Sequence, residues 1–466
     1  MKINLRIFVA IVICLATISL SGQIRLPAVI GDNMVLQQKS EANIWGWGEP
    51  GSEIRVTGSW NNDTVKTKIS NYSTWSVKLK TPAAGGPYTV NINSGDEVTL
   101  KNVMIGEVWI CSGQSNMEWS ANHNLLNAEE EKKNATYPNI RLLHVTKMAS
   151  ETPQDNCFGS WEECSPASMQ SFSSVGYFFS RNLHTNLNIP IGIIEVAWGG
   201  TPAEVWVKAE QLESDPLLSS SAKKLLTYDW WPNKPGVAYN AMIAPLIPYN
   251  IAGAIWYQGE GNTINYESYR KLMNTLIGNW RNDFEKEFPF YFVQIAPYSY
   301  SPETKSAMIR EMQMLTMSDI PKTGMVVVSD LVDDVKNIHP ANKQDVGKRL
   351  ANWALAETYG VKGIAYRHPA YESMRVEKSK VRISFRDASN GLIIKGDKLL
   401  HFEIAGPEKI FVPATAKIDG NTVIVSAKGV KTPEAVRFSF SNDAMGNLFS
   451  SEGLPVVPFR TDRWEY

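Results

Sequence analysis

Between residues 105 and 360 five short, almost wholly apolar runs recur: "EVWIC" (107–111), "IGIIEVAW" (191–198), "IAGAIWYQ" (251–258), "FYFVQIA" (290–296) and "GMVVVSD" (324–330). None has the apolar–polar alternation of a strand with one wet face, so each needs apolar neighbours on both sides. Between them lie helix candidates such as "VGYFFSRNLHTNL" (175–187) and "NYESYRKLMNTLIGNW" (265–280). Buried strands alternating with helices predict a mostly parallel sheet covered on both faces, which binds ligands at the carboxyl ends of its strands.

The flanks read differently. From residue 23 to about 100, "ANIWGWGEPGSEIRVTG", "DTVKTKIS", "TWSVKLK" and "PYTVNI" are β-rich runs broken by turn signals, with no helical period among them. After about 365, "KVRISFRD", "LLHFEIAG", "KIFVPATAKIDGNTVIVSA" and "AVRFSFSND" return to strand chemistry, and Asp419–Asn421 ("DGN") reads as a hairpin turn. At 466 residues the chain exceeds one ordinary core. The expected division is a signal peptide (1–22), an N-terminal β domain (23–101), an α/β domain (102–364) and a C-terminal β-rich domain (365–466).

The signal-peptide reading rests on Lys2 and Arg6 ahead of the apolar run Ile7 to Leu20, followed by Ser21 and Gly22. It predicts a secreted or periplasmic protein. That run falls short of the ~20 apolar residues a span needs, and no later stretch is long and apolar enough to cross a bilayer. Lysine and arginine number 46 against 47 acidic residues, so no charge excess favours a nucleic-acid partner. Beyond the leader remain Cys111, Cys157 and Cys164. Cys157 and Cys164 either close a small loop as a disulfide or stay as buried thiols. No Cys-x-x-Cys or His-Glu-x-x-His motif is present, and no metal or other cofactor is expected.

The polar residues at the strand ends carry the chemistry. In "CSGQSNM", Ser115 sits at a strand-to-helix turn, where it is either a cap or a nucleophile. In "VAWGGTPAEVW", Gly199 and Gly200 can bring bare backbone N–H groups to a substrate, and Thr201, Pro202 and Glu204 read as a capping box. In "WYQGEGN", Gln258 and Asn262 carry side-chain amides that can complete an oxyanion hole, and Glu260 is a general acid, a brace for its loop or a surface residue. After the fifth run, His339 follows Asp330, Asp333 and Asp334, three possible orienting carboxylates. His123 is its rival. Serine, glycine, amide and histidine, each at a strand's end, form the set a serine hydrolase needs: a hydroxyl, a base to take its proton, and fixed dipoles for the tetrahedral anion.

At these residues the chain resembles the sialate O-acetylesterase family of SGNH-type hydrolases. The resemblance covers nearly the whole mature chain, through "DNMVLQQ", "IWGWGEPG", "GQSNM", "WGGTPAEVW", "WYQGEGN", "IHPANKQDVGKRLA" and "EGLPVVPFRTD". It implies an SGNH-hydrolase-like α/β/α domain flanked by β-rich domains. It makes Ser115 the nucleophile, His339 the base, and the Ser115 amide, Gly200 and the side chain of Gln258 or Asn262 the oxyanion donors. Many such hydrolases place an orienting Asp three residues before the histidine. Lys336 stands there in this chain, which leaves Asp334 as the expected partner, with Asp330, Asp333 or a bare Ser–His dyad as alternatives. Gly261 occupies a position where relatives often carry Ser.

The implied reaction removes acetyl groups from sugars through an acetyl-serine intermediate, the substrate being an acetylated sialic acid or a plant polysaccharide such as acetylated xylan or xyloglucan. A basic pocket holding Arg181, Arg310 or Lys343 would favour sialic acid. Two other readings are a glycoside hydrolase pairing Glu260 with Glu107 or Glu118, and a carbohydrate-binding protein without turnover.

Overall fold

The computed structural model describes residues 23–300 and 305–465; the predicted signal peptide lies outside them. Seven strands form the central path: β1 (Asp96–Gly113), β2 (Tyr137–His144), β3 (Trp161–Cys164), β4 (Ile191–Ala197), β5 (Gly253–Tyr257), β6 (Phe290–Val293) and β7 (Thr323–Val326), in the order β7-β6-β5-β1-β4-β2-β3. Every pair along it is parallel except β2 with β3 at the edge. All five predicted apolar runs are strands. The β2 strand was hidden because Pro138 and Arg141 interrupt its apolar character. Arg141 is buried, its guanidinium donating to Pro138 O (2.7 Å) and to Asn102 O (3.2 Å) and Oδ1 (3.1 Å).

Helices cover both faces. On one, α2 (Ser174–Leu187) and α5 (Gln344–Trp353) pack Phe178, Leu183, Val346 and Leu350 against Trp109, Cys111 and Ile255 of the sheet. On the other, α3 (Tyr266–Asp283) and α4 (Ser306–Asp319) place Tyr269, Leu272, Leu276 and Ile309 against Val108, Ile110 and Trp256. Sheet residues in even and odd positions thus feed opposite cores, as the pleat demands.

β1 is 18 residues long. Its first half pairs with strand Gly85–Ser94, which pairs in turn with Glu53–Gly58; its second half lies between β4 and β5. The expected boundary at residue 101 therefore falls inside a continuous strand, and the apolar residues of the N-terminal strands share one core with a face of the central sheet. Strands from Ala370–Glu377 onward enclose a separate core, and the predicted hairpin closes between Asp419 and Thr422. Cys111, Cys157 and Cys164 are buried free thiols. Among the described residues no helix is long and apolar enough to cross a membrane.

Candidate active site

Gly113, Ala197 and Tyr257 stand side by side at the carboxyl ends of β1, β4 and β5. Gly113 answers why glycine precedes the serine: at φ +139° a Cβ would lie 2.2 Å from the Tyr257 carbonyl oxygen. The chain then turns through extended Gln114 into the single helical turn α1 (Ser115–Glu118), with the Gln114 carbonyl accepting from Met117 N–H (2.9 Å) and Glu118 N–H (3.0 Å). Those bonds leave the Ser115 N–H, at the first helical position, outside the ladder.

Ser115 Oγ lies 2.9 Å from His339 Nε2, across 224 residues of sequence. The His339 ring stacks on Trp119, with centroids 4.1 Å apart and planes 19° from parallel. His123, the rival base, packs against the same indole tilted by 32° (centroids 4.5 Å apart) and lies 3.1 Å from Ser120 Oγ through Nδ1. Burial, then the positive charge of Lys343, then His123, push the His339 pKa down to about 4 from the ordinary 6.5, so the imidazole is a neutral base at physiological pH.

No carboxylate among the described residues hydrogen-bonds the His339 ring, which corrects the expectation for Asp334. Asp334 is exposed and accepts from the Lys336 N–H (2.9 Å). Asp333 accepts from the Asp334 N–H, and Asp330 is held by Arg349 through two 2.7 Å bonds. The histidine loop is instead tied through its backbone: the His339 N–H donates to Asn337 Oδ1 (2.9 Å), and the Ile338 carbonyl accepts from Asn116 Nδ2 (3.0 Å).

The predicted amide donors also need correction. Both hydrogens of Gln258 Nε2 go inward, to Asn262 Oδ1 (2.7 Å) and Thr201 O (3.3 Å). Those of Asn262 Nδ2 go to Glu204 Oε2 (2.8 Å) and Asn265 Oδ1 (3.1 Å). Each side chain is buried with its donors spent, so neither reaches a substrate. They brace two loops around Glu204, whose other oxygen takes Asn265 Nδ2 (2.8 Å). The capping box at 201–204 is absent for the same reason. Glu204 faces this network, Thr201 Oγ1 donates to Trp198 O (2.7 Å), and only a short 3₁₀ turn, Ala203–Trp206, follows.

Gln114 was overlooked. Its Oε1 accepts from the N–H groups of Gly259 (3.3 Å) and Gly261 (3.1 Å). Two backbone donors fix the oxygen's side of the amide, which leaves the NH₂ without a partner among the described residues, in a side chain that lines the cleft beside Ser115.

The cleft encloses about 960 Å³. Ser115, His339, Gly199, Gly200 and Glu260 form its reactive end, and Trp198, Tyr228, Trp230, Trp231, Tyr266 and Tyr300 supply aromatic walls. Gly200 adopts φ +82°, and a Cβ there would sit 2.3 Å from the Trp231 ring. The Gly199 N–H donates to Glu118 Oε2 (2.6 Å), and Glu118 also pairs with Lys147. Glu260 acts as the brace among its three readings: its Oε1 accepts from Asn116 Nδ2 (2.7 Å). Arg181, Arg310 and Lys343 are not in the cleft wall; Arg181 pairs with Glu131, Arg310 bonds the Asn442 carbonyl, and the lining cations are Lys147 and Lys305. The glycosidase pair with Glu107 is not assembled: Glu107 lies at the start of the parallel stretch, six residues or roughly 20 Å of strand before Gly113, bound to Gln38 and Tyr359, while Glu118 is engaged by the Gly199 N–H and Lys147. Among the described residues no group of three His, Cys, Asp or Glu side chains could hold a metal ion.

A hydroxyl in contact with a neutral imidazole, at the carboxyl edge of a parallel sheet and facing an aromatic-walled cleft, has the parts of an ester hydrolase. Residues 105–356 match the model of the carbohydrate esterase family described as sialic acid-specific acetylesterase, and the chain belongs to that family. It is 31% identical to human sialate O-acetylesterase over 393 residues (76% of this chain, 74% of that protein), and 30% identical to the rat enzyme of the same name over 408 residues (74% and 75%). The solved structure of a carbohydrate acetylesterase from Xanthomonas citri is 34% identical, with TM-score 0.87, covering 95% of this chain and all of the other.

Proposed function

We propose that this chain is a serine esterase that removes O-acetyl groups from sialic acids. The observation that carries the reading is the 2.9 Å contact between Ser115 Oγ and His339 Nε2 in the wall of the cleft. His339 takes the hydroxyl proton as Oγ attacks the acetyl carbonyl. The tetrahedral oxyanion is held by the N–H groups of Ser115 and Gly200 and by the Gln114 amide. As the anion collapses, the imidazolium returns the proton to the sugar oxygen, which leaves; water, activated by the same imidazole, then releases acetate and restores Ser115.

The pair works as a dyad. Trp119 holds the imidazole plane in place of a carboxylate, and its π face favours the imidazolium that forms during each proton transfer. Aromatic walls suit the apolar faces of a sugar ring, and Lys147, paired with Glu118, and Lys305 line the same cleft. The same walls suit acetylated xylan or xyloglucan, the second reading. We read residues 102–364 as the esterase section between β-rich flanks, in a protein secreted or delivered to the periplasm.

The deciding experiment measures acetate released from 9-O-acetylated sialic acid and from acetylated xylan by wild type and by Ser115→Ala. Release from the sialic acid by wild type, lost in the variant, is expected. Preference for xylan would move the substrate assignment, and release from neither would overturn it.

A further inference from the structure

A buried ammonium lies between the serine turn and the histidine loop. Lys343, just ahead of α5, is 1% exposed, and its Nζ donates to Asn116 Oδ1 at 2.6 Å. Asn116 follows Ser115 directly. Its two amide hydrogens go to Glu260 Oε1 (2.7 Å) and to the carbonyl of Ile338 (3.0 Å), the residue before His339. Asn116, itself fully buried, thus joins three loops, and Lys343 fills the oxygen that completes it.

This arrangement is expensive for a core. An ammonium and a carboxylate are buried with one amide between them, and Glu260 Oε2 has no hydrogen-bond partner among the described residues. Well-packed apolar side chains often serve stability as well as, or better than, such a pair. The cost is borne next to both reacting groups, in a site where no carboxylate among the described residues orients the imidazole. The ionisable groups facing His339 are Lys343 and His123, and Glu260 faces Lys343.

We propose that Lys343 is a positioning residue for ester hydrolysis: through Asn116 it clamps the turn that carries Ser115 to the loop that carries His339. The proposal rests on Ser115 and His339 being the reacting pair. The clamp sets the Oγ–Nε2 separation through backbone tethers rather than through a bond to the ring. Lys343 also presents a positive charge to the imidazole, which holds the base neutral; that charge persists while Lys343, pushed down to about 7 chiefly by burial, stays protonated.

The test compares wild type, Lys343→Met, Glu260→Gln and the double variant on an acetylated chromogenic ester, with folding followed by circular dichroism. Lys343→Met is expected to lose on the order of 10²-fold in kcat, the scale of a misplaced reacting group, with KM little changed. The acid limb of its kcat/KM profile should move up, because a cation facing the base is gone. If Lys343→Met does not fold with Glu260 stranded, the double variant removes both charges. Its kcat should fall as far relative to Glu260→Gln, again with KM held. A wild-type kcat in whichever variant folds overturns the clamp, as does a fall in Lys343→Met with the acid limb unmoved. Turnover by Ser115→Ala would instead overturn the assignment of the reacting pair.

Discussion

Lowering the pH tests the electrostatics of the site most directly. Catalysis needs His339 unprotonated, so kcat/KM falls as pH drops through the pKa of that base in the free enzyme. At an ordinary histidine value of 6.5, only about 9% of the enzyme would carry a neutral base at pH 5.5; at about 4, the neutral fraction there is about 97%. The enclosed, Trp119-stacked imidazole therefore predicts roughly tenfold more activity at pH 5.5 than an exposed histidine would allow. Initial rates on an acetylated chromogenic ester, at constant ionic strength from pH 3.5 to 8, would read this. Aliquots returned to pH 7 would separate titration from denaturation. The same depressed pKa links to stability: between about 4 and 6.5 the unfolded chain binds the proton that folded His339 refuses, so this contribution to stability is full above 6.5 and is lost as pH falls to 4. A reversible limb centred near 6.5 would refute this account of the environment around His339.

Glu204→Ala should destabilise the protein by about 2–4 kcal/mol, because it strands the Asn262 and Asn265 amides in a buried site; a urea midpoint matching wild type would contradict the bracing role. Gly200→Ala should cut kcat/KM by about tenfold or more, since the new methyl meets the Trp231 ring at 2.3 Å on a left-handed backbone. Unchanged kinetics would mean that neither the Gly200 N–H nor the Trp231 wall serves turnover.

The sheet was legible because buried parallel strands leave uninterrupted apolar runs; Ser115 and His339, each of which alone reads equally as a cap or a structural histidine, stood out only through the ordered set of strand-end motifs and the family resemblance. The direction of a side-chain amide is not written in that pattern. Gln258 and Asn262 occupy the right loop but point into the protein, where Asn262 Oδ1 and Thr201 O take the Gln258 N–H groups and Glu204 and Asn265 take those of Asn262. Sequence proximity likewise mistook Asp334 for a partner of His339, because a polar loop lets each aspartate satisfy itself on nearby backbone or on Arg349. Asn116 and Lys343 stood inside quoted motifs, yet their contact spans 227 positions and no local pattern announces it. The aromatic wall went unremarked: "YDWWP" (228–232) carries no strand-end or motif signal, and its placement against Gly200 is a tertiary feature.

The 18-residue strand that runs from the N-terminal ladder into the catalytic sheet leaves no hinge between them. A ladder of paired backbone resists bending in a way that a linker does not, so the outer strands and the floor beneath Ser115 move as one piece. The stretch holding Tyr228, Trp230 and Trp231 lines the cleft without belonging to that ladder, and the N-terminal strands serve as ballast for the reacting edge.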